Sequence, residues 1–227
     1  MNELDEKLLG GCKNGTFLDV AYKSYLEDRG DESALNNSLI RMHNEGLLDV
    51  ISEFKKLGAK DESTDFFLLR GVLEDILPEI NAPISQVMPC VKHLTLEAGE
   101  DMASHTLMRP FRAFCQSDPE RPLELLTLAT DTIDEEFDFI SPAVISGATI
   151  DVKEYVEKAV VLGGSKNSTV SRRAVFALGQ VDYKGRKDLI EAAVRVIVST
   201  PDAHKDNPFF SVSLRSLSLL FLQVLVI

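Results

Sequence analysis

The sequence predicts an all-α protein built as an α-solenoid of stacked antiparallel helix pairs, with an irregular helical bundle as the alternative. Three observations lead to this fold class. Apolar residues recur at helical spacing along the chain, and they do not alternate with polar residues as they would in a half-buried strand. Glycines fall at or near the ends of the periodic segments, where a left-handed residue often ends a helix. The connections between segments are short, which favours antiparallel neighbours.

The first hundred residues contain five segments with an apolar stripe. The first stripe consists of Phe17, Val20, Ala21, Ser24 and Tyr25, which lie on one face of a helix. The spacing predicts helices over residues 16–28, 32–44, 47–57, 64–77 and 84–97. We expect helices to end near Gly46, Gly58 and Gly99.

The remainder of the chain continues the pattern with sharper stripes. One stripe consists of Val152, Tyr155, Val156, Ala159 and Val160. Asp151 and Glu154, just at its start, have the spacing of a capping box. The spacing predicts helices over residues 102–116, 122–131, 136–146, 152–162, 169–180, 186–199 and 209–225. Helix ends are expected near Gly147, Gly163 and Gly179.

The predicted helix starts indicate an internal repeat. Starts near residues 102, 136, 169 and 209 recur at about the interval of two-helix repeats, which is roughly 33 to 47 residues. The first 60 residues fit this interval less well, and terminal repeats are usually atypical. We therefore expect residues 1–60 to form a helical N-terminal cap and residues 61–227 to form helical repeats, continuous with the cap in one domain.

One segment resembles a known repeat family. The run from Val170 to Asp182 resembles the first helix of a HEAT repeat, of the HEAT/armadillo type, and the helix from Leu189 to Val194 follows after a suitable turn. The small and aliphatic residues of the family match Ala174, Ala177, Leu178, Gly179 and Val181. Ser171 departs from the family, which usually has arginine directly after the valine.

A weaker resemblance to the same family lies earlier in the chain, over residues 107–114 and 122–126. The resemblance is best around residues 169–199. It implies a packing scheme and a binding role, and it implies no chemistry and no cofactor.

The charge of the chain is unevenly distributed, and the distribution bears on its partner. The formal net charge is −12, with 13 Lys and Arg against 28 Asp and Glu in residues 1–140, and 11 against 8 in residues 141–227. The acidic part repels phosphate backbones, so nucleic-acid binding is disfavoured and a basic protein partner fits better. The acidic N-terminus and three cysteines without disulfide-framework spacing favour a cytoplasmic location.

The candidate metal ligands are two cysteines and two histidines. Cys90 and His93 are three residues apart, and His105 and Cys115 follow. If the two predicted helices form a hairpin, Cys115 lies about 15 Å along its helix from His105, because each helical residue rises about 1.5 Å. The spacing therefore predicts buried thiols and ordinary imidazoles and no metal site.

Catalytic motifs are not found in the sequence. The run from Gly163 to Lys166 lacks the order of a phosphate-binding loop and no strand precedes it, so we interpret it as a turn between helices. GxSxG, HExxH and GxGxxG patterns do not occur. No catalytic residue is predicted.

Two charged groups are candidate binding residues. The acidic residues Asp134, Glu135 and Glu136, with Asp131 and Asp138 beside them, fit a solvated helix start or a patch that faces a partner. The basic residues are Arg172, Arg173, Lys184, Arg186 and Lys187. They could bind an anion or an acidic partner, or they could be exposed charges on a ridge. Aromatic residues for base stacking are scarce around them.

The C-terminal residues 209–227 are strongly apolar. Their uninterrupted apolar stretches are too short to cross a bilayer, and Arg215 interrupts them. We expect a helix that is buried in a homodimer, covered by an N-terminal element, or continued in a longer protein.

The sequence thus favours a non-enzymatic protein–protein interaction or scaffold module. One alternative is an acidic immunity or inhibitor protein that neutralises a basic toxin or nuclease. Another is a HEAT-like protein that binds or processes nucleic acid through the basic residues near its C-terminus.

Overall fold

A computed structural model describes residues 2–27, 32–59, 64–99 and 106–200. Within these ranges the chain is all-helical and contains no strand. The fold class predicted from the sequence is therefore confirmed as all-α. The predicted helix over residues 209–225, with the apolar end at 209–227, lies outside the described residues.

The described residues form twelve α-helices and one 3-10 turn. The helices are α1 Glu3–Asn14, α2 Phe17–Glu27, α3 Glu32–Asn44, α4 Val50–Phe54, α5 Phe66–Ile76, α6 Ile84–Glu97, α7 Met108–Gln116, α8 Arg121–Asp131, α9 Ile140–Ile150, α10 Val152–Gly163, α11 Ser168–Leu178 and α12 Lys187–Ser199. The 3-10 turn, Leu77–Glu79, directly follows α5.

The chain divides into two compact units, Met1–Ser117 and Asp118–Ile227, called unit 1 and unit 2 below. The assignment of residues 1–60 to a cap and of residues 61–227 to repeats remains a prediction, because compactness alone does not identify repeats.

Unit 1 is built around α2 and α3. Both helices pack against α1, α4 and α5, while α4 packs on α6 and the 3-10 turn packs on α7. Gly15, with φ of 71°, makes the left-handed turn between α1 and α2. In the core, the rings of Phe17 and Phe54 meet edge to face with centroids 6.0 Å apart. This packing is compatible with an irregular helical bundle.

Polar side chains inside unit 1 connect distant elements. The carboxylate of Asp5 is buried and lies 2.5 Å from the guanidinium of Arg41, joining α1 to α3. The guanidinium of Arg70 is also buried, and it donates to Glu74 at 3.0 Å and to Thr106 at 2.7 Å. These buried charges have partners, as their desolvation requires.

Unit 2 is built around α9. This helix packs on α8, α10 and α11, and α10 packs in turn on α11 and α12. Two glycines allow close approach: a Cβ at Gly147 would collide with the ring of Tyr155, and one at Gly163 would collide with Val196. Tyr183, which is fully buried, donates its hydroxyl to the Leu178 carbonyl at 2.5 Å and so closes the end of α11.

Most predicted helices overlap those of the structure, although the helix predicted over 47–57 covers only Val50–Phe54. Two further differences are instructive. Helix α1 was missed, because its two adjacent glycines, Gly10 and Gly11, lower helix propensity and obscure its apolar stripe. A capping box between Asn2 and Asp5 starts it.

The second difference concerns α9, which was predicted over 136–146 and begins and ends four residues later. The acidic residues before it belong to a loop. Gly147 does not end this helix: it lies inside α9, where the absence of a side chain admits Tyr155.

Candidate functional site

The acidic loop, residues 132–139, is shaped by its own carboxylates. Asp134 accepts from the backbone N–H groups of Glu136 at 3.0 Å and Phe137 at 3.2 Å. Asp138 accepts from the Ser141 N–H at 3.0 Å in the first turn of α9, and the Ser141 hydroxyl also donates to it. Two of the acidic side chains therefore order the loop and the start of α9.

The phenylalanines of the loop fix it to the core of unit 2. The rings of Phe137 and Phe139 are buried, with centroids 4.6 Å apart. Burial of two aromatic side chains is a large stabilising contribution, which holds the carboxylates between and beside them in place.

Arg173 of α11 lies against the acidic loop. Its guanidinium donates to the Glu135 carbonyl at 3.3 Å and lies 3.8 Å from the Asp138 carboxylate. The neighbouring Thr169 donates its hydroxyl to the Glu135 carboxylate at 2.6 Å. The acidic loop and α11 are thus joined, although the sequence suggested two separate charged groups.

Arg172 makes two contacts within α11. Its guanidinium donates to the Ser168 carbonyl at 3.3 Å and lies 3.5 Å from the Thr169 hydroxyl. These bonds hold the side chain along the first turns of the helix, and it remains partly exposed.

The remaining basic residues, Lys184, Arg186 and Lys187, form the basic turn between α11 and α12. The ammonium of Lys184 donates to the Thr149 carbonyl at 3.4 Å, in the last turn of α9, where a helix dipole favours a cation. Lys187 is exposed.

Arg186 of the basic turn is paired within its own segment. Its guanidinium donates twice to the Asp188 carboxylate, at 3.0 Å and 2.7 Å. The hydrogen bond to this guanidinium lowers the pKa of Asp188, and the same bond raises the pKa of Arg186. Both groups are exposed, so the pair contributes little to stability.

The basic residues do not form one patch. Arg173 lies beside the start of α9, where its carbonyl is 3.0 Å from the Ser141 hydroxyl oxygen, whereas Lys184 lies beside Thr149. Ser141 and Thr149 are eight residues apart, which corresponds to about 12 Å along a helix axis. The structure therefore places Arg173 against the acidic loop and the basic turn at the other end of α9.

Helix α8 carries an acidic surface that the sequence analysis did not single out as a site. Glu120, Glu124 and Asp131 are exposed, and their spacing of four and seven residues places them on one helix face. None of the three makes an ion pair within the described ranges. We call these three residues the acidic edge. The predicted helix over 122–131 includes Glu124 and Asp131, and the spacing of Glu120 to both can be read from the sequence.

An apolar side chain lies within the acidic edge. Leu123, between Glu120 and Glu124 in the sequence, leaves 42% of its surface exposed. An apolar contact surrounded by charge is common at the margin of protein interfaces.

The candidate metal ligands have other neighbours. His93 Nε2 lies 2.9 Å from the Leu57 carbonyl, and burial raises the pKa of Cys90 to about 12. Cys115 is buried in α7, and His105 lies outside the described residues. Among the residues described, no group of three or more His, Cys, Asp and Glu side chains is arranged to hold a metal ion.

The run from Gly163 to Lys166 joins α10 to α11, as predicted. Its neighbour Asn167 caps α11 by accepting from the N–H groups of Thr169 and Val170.

Comparison of the chain with protein-family models, with curated proteins and with solved structures returns no match. No helix in the described parts of the chain is both long enough and apolar enough to cross a membrane.

Proposed function

We propose that this chain is a non-enzymatic helical-repeat module that binds a basic protein partner. The observation that carries the proposal is the packing order of unit 2. Each of the helices α9 and α10 packs on the next helix and on the one after it. This is the order expected when helix hairpins stack on one another, as they do in HEAT-like solenoids.

Stacked hairpins leave a row of exposed helix faces, and such faces commonly bind protein partners. Close packing between successive layers supports the same arrangement. Gly163 of α10 lies against Val196 of α12, two helices that would occupy equivalent positions in successive hairpins. Ala174, Ala177 and Leu178, the residues that resemble a HEAT repeat, are all buried.

The charge of the exposed surface supports a basic partner. The acidic edge adds three carboxylates to those of Glu135 and Glu136, which are also exposed. Residues 118–138 contain eight Asp and Glu against one arginine, Arg121, whose side chain is buried. A surface of one sign attracts a partner of the other sign and increases the association rate.

An inhibitor that neutralises a basic toxin or nuclease is a narrower form of the same proposal, supported by the same carboxylates. Nucleic-acid binding has less support. Arg173 and Arg186 are engaged by carboxylates of the chain itself, and the basic residues are divided between the two ends of α9.

The test is capture of the partner from a native lysate, followed by a binding measurement with the purified partner. We expect a basic protein whose dissociation constant rises steeply between 50 and 300 mM salt, because exposed charges are screened over about 10 Å at 0.1 M. The triple variant Glu120→Gln, Glu124→Gln and Asp131→Asn should weaken binding.

The matched control removes the same number of charges from the exposed faces of α10 and α12, with Glu154→Gln, Glu157→Gln and Glu191→Gln. It should bind as tightly as the natural chain. Equal loss of affinity in both variants would show a general charge effect, and capture of nucleic acid alone would contradict a protein partner. Circular dichroism of both variants establishes that each is folded.

A further inference from the structure

We propose that His43 is an acid-sensitive clasp that holds the connection between α3 and α4 in unit 1. Its ring Nδ1 accepts from the backbone N–H of Val50 at 3.2 Å, and the Leu48 carbonyl accepts from the same N–H at 3.1 Å. Val50 is the first residue of α4, so this N–H is one of those that a helix start leaves without an intrahelical partner, and the imidazole is one of its two acceptors.

Other hydrogen bonds lie next to His43, at the end of α3. Asn44, next to His43, donates its amide to the Glu79 carbonyl at 3.0 Å and accepts from the Asn81 N–H at 2.7 Å. Asn44 therefore attaches the end of α3 to the segment that leads into α6.

Asp49 links the start of α4 to the start of α6. It caps α4 by accepting from the Ser52 N–H at 3.0 Å, and Gln86 of α6 donates to it at 2.7 Å. Three segments of unit 1, the end of α3, the start of α4 and the start of α6, therefore meet through side-chain hydrogen bonds.

The chemistry of imidazole makes this contact depend on protonation. A ring nitrogen accepts a hydrogen bond only in the neutral ring, because both nitrogens of the cation carry a proton. A proton on Nδ1 would face the Val50 N–H, so a repulsive contact between two donors would replace this bond and leave the Leu48 carbonyl as the acceptor. The glutamine of a His43→Gln variant has an oxygen that can accept at any pH.

The surroundings of the ring determine whether the pKa of His43 is raised or lowered. Burial lowers the pKa of His43, against opposing effects of Asp49 and of the Asn81 backbone, and the net direction is downward. On α1, α4 and α5, which pack on α3, the charged groups include three ion pairs: Asp5 with Arg41, Glu53 with Lys56, and Glu74 with Arg70. The remaining packed helix, α2, carries Asp19, Lys23 and Glu27.

The lowered pKa determines the pH range in which the His43 hydrogen bond stabilises the fold. An unfolded histidine titrates near pH 6.5, so below about that pH the unfolded chain binds the proton more readily than the folded chain does. The clasp therefore contributes its full stabilisation above about pH 6.5 and loses it as the pH falls further towards the pKa of the folded state.

The experiment is NMR on the full chain between pH 7.5 and 5, reading the histidine ring nitrogens and the exchange of the Val50 amide, corrected for intrinsic exchange. We expect a neutral His43 ring with its proton on Nε2, and Val50 protection that falls about three- to tenfold as His43 is protonated, as expected for loss of one hydrogen bond. The His43→Gln variant should remove this pH dependence.

His93→Gln is the matched control, because His93 also bonds a backbone group of unit 1, the Leu57 carbonyl, and not the Val50 N–H. It should leave the Val50 response unchanged. A proton on Nδ1 of the neutral ring, a His43 pKa at or above that of unfolded histidine, or Val50 protection that stays constant while His43 titrates would each overturn the proposal. The ring measurement on the natural chain decides it even if a variant does not fold.

Discussion

Single residues determine how closely the helices of unit 2 approach one another. At Gly147, the face of α9 has room for the Tyr155 ring because there is no Cβ, and at Gly163 the same is true for Val196. Interiors are packed at crystal-like density, so an added methyl group in such a contact displaces its neighbours. Not every glycine has this role, since a Cβ at Gly71 in α5 would meet nothing within 4 Å.

We expect Gly147→Ala to destabilise the protein by about 1–3 kcal/mol, the usual cost of overpacking a core. Urea unfolding followed by circular dichroism measures the change. Gly71→Ala is the control and should have the opposite sign, stabilising by up to about 1 kcal/mol, because alanine is the better helix former. Equal and small effects at the two positions would mean that Tyr155 can move away at little cost.

At the scale of elements, caps determine where the helices begin. Asp151 is the single residue between α9 and α10. It accepts from the Glu154 N–H at 2.9 Å and so caps the start of α10. Asn167 starts α11 in the same way, with two N–H groups bound to one amide oxygen. These caps permit short connections, which keep consecutive helices adjacent.

Replacing Asp151 with alanine removes the cap of α10, and we expect a loss of about 1 kcal/mol in the free energy of unfolding. Thermal unfolding should show a lower midpoint. Lys153→Ala on the same helix is the comparison: its exposed ion pair with Glu157 spans 3.9 Å, and losing it should change stability by less than about 0.5 kcal/mol. A Lys153 effect as large as that of Asp151 would argue against the cap.

The elements could be predicted from the sequence wherever a strong apolar stripe coincided with a clear end. The bounds of α3 and α6 agree with the prediction residue for residue, and those of α10 and α12 differ by at most one residue. Prediction was wrong for the start of α9, because acidic residues favour both a first helical turn and a capping loop. Only the burial of Phe137 and Phe139 distinguishes the two.

The candidate site was less predictable than the helices, for a physical reason. Glu135 and Arg173 are 38 residues apart, and their contact depends on how α9 and α11 pack. Charge spacing along the sequence contains no information on that packing. The acidic edge of α8 is different, because it depends only on the period of one helix and was within reach of sequence analysis.

At the scale of the whole molecule, acidity is the dominant property. The formal net charge is −12, and the isoelectric point is about 4.8. Mutual repulsion at neutral pH opposes self-association, and this repulsion disappears near the isoelectric point.

Turbidity measured against pH should therefore peak near pH 4.8. The triple acidic-edge variant, which loses three carboxylates, should peak at a higher pH, since its isoelectric point is raised. The α10 and α12 control variant loses the same charge and should shift equally. A difference between the two variants would mean that self-association depends on where the charge lies.

The buried tyrosines of unit 2 have an optical consequence. The chain has four tyrosines and no tryptophan, so tyrosine emission is not obscured by indole. Tyr155, pressed against Gly147, and Tyr183, bonded to the end of α11, are both held rigidly in the core. Tyr22 and Tyr25 belong to unit 1, so replacing both with phenylalanine would leave an ultraviolet tyrosine signal that reports on unit 2 alone.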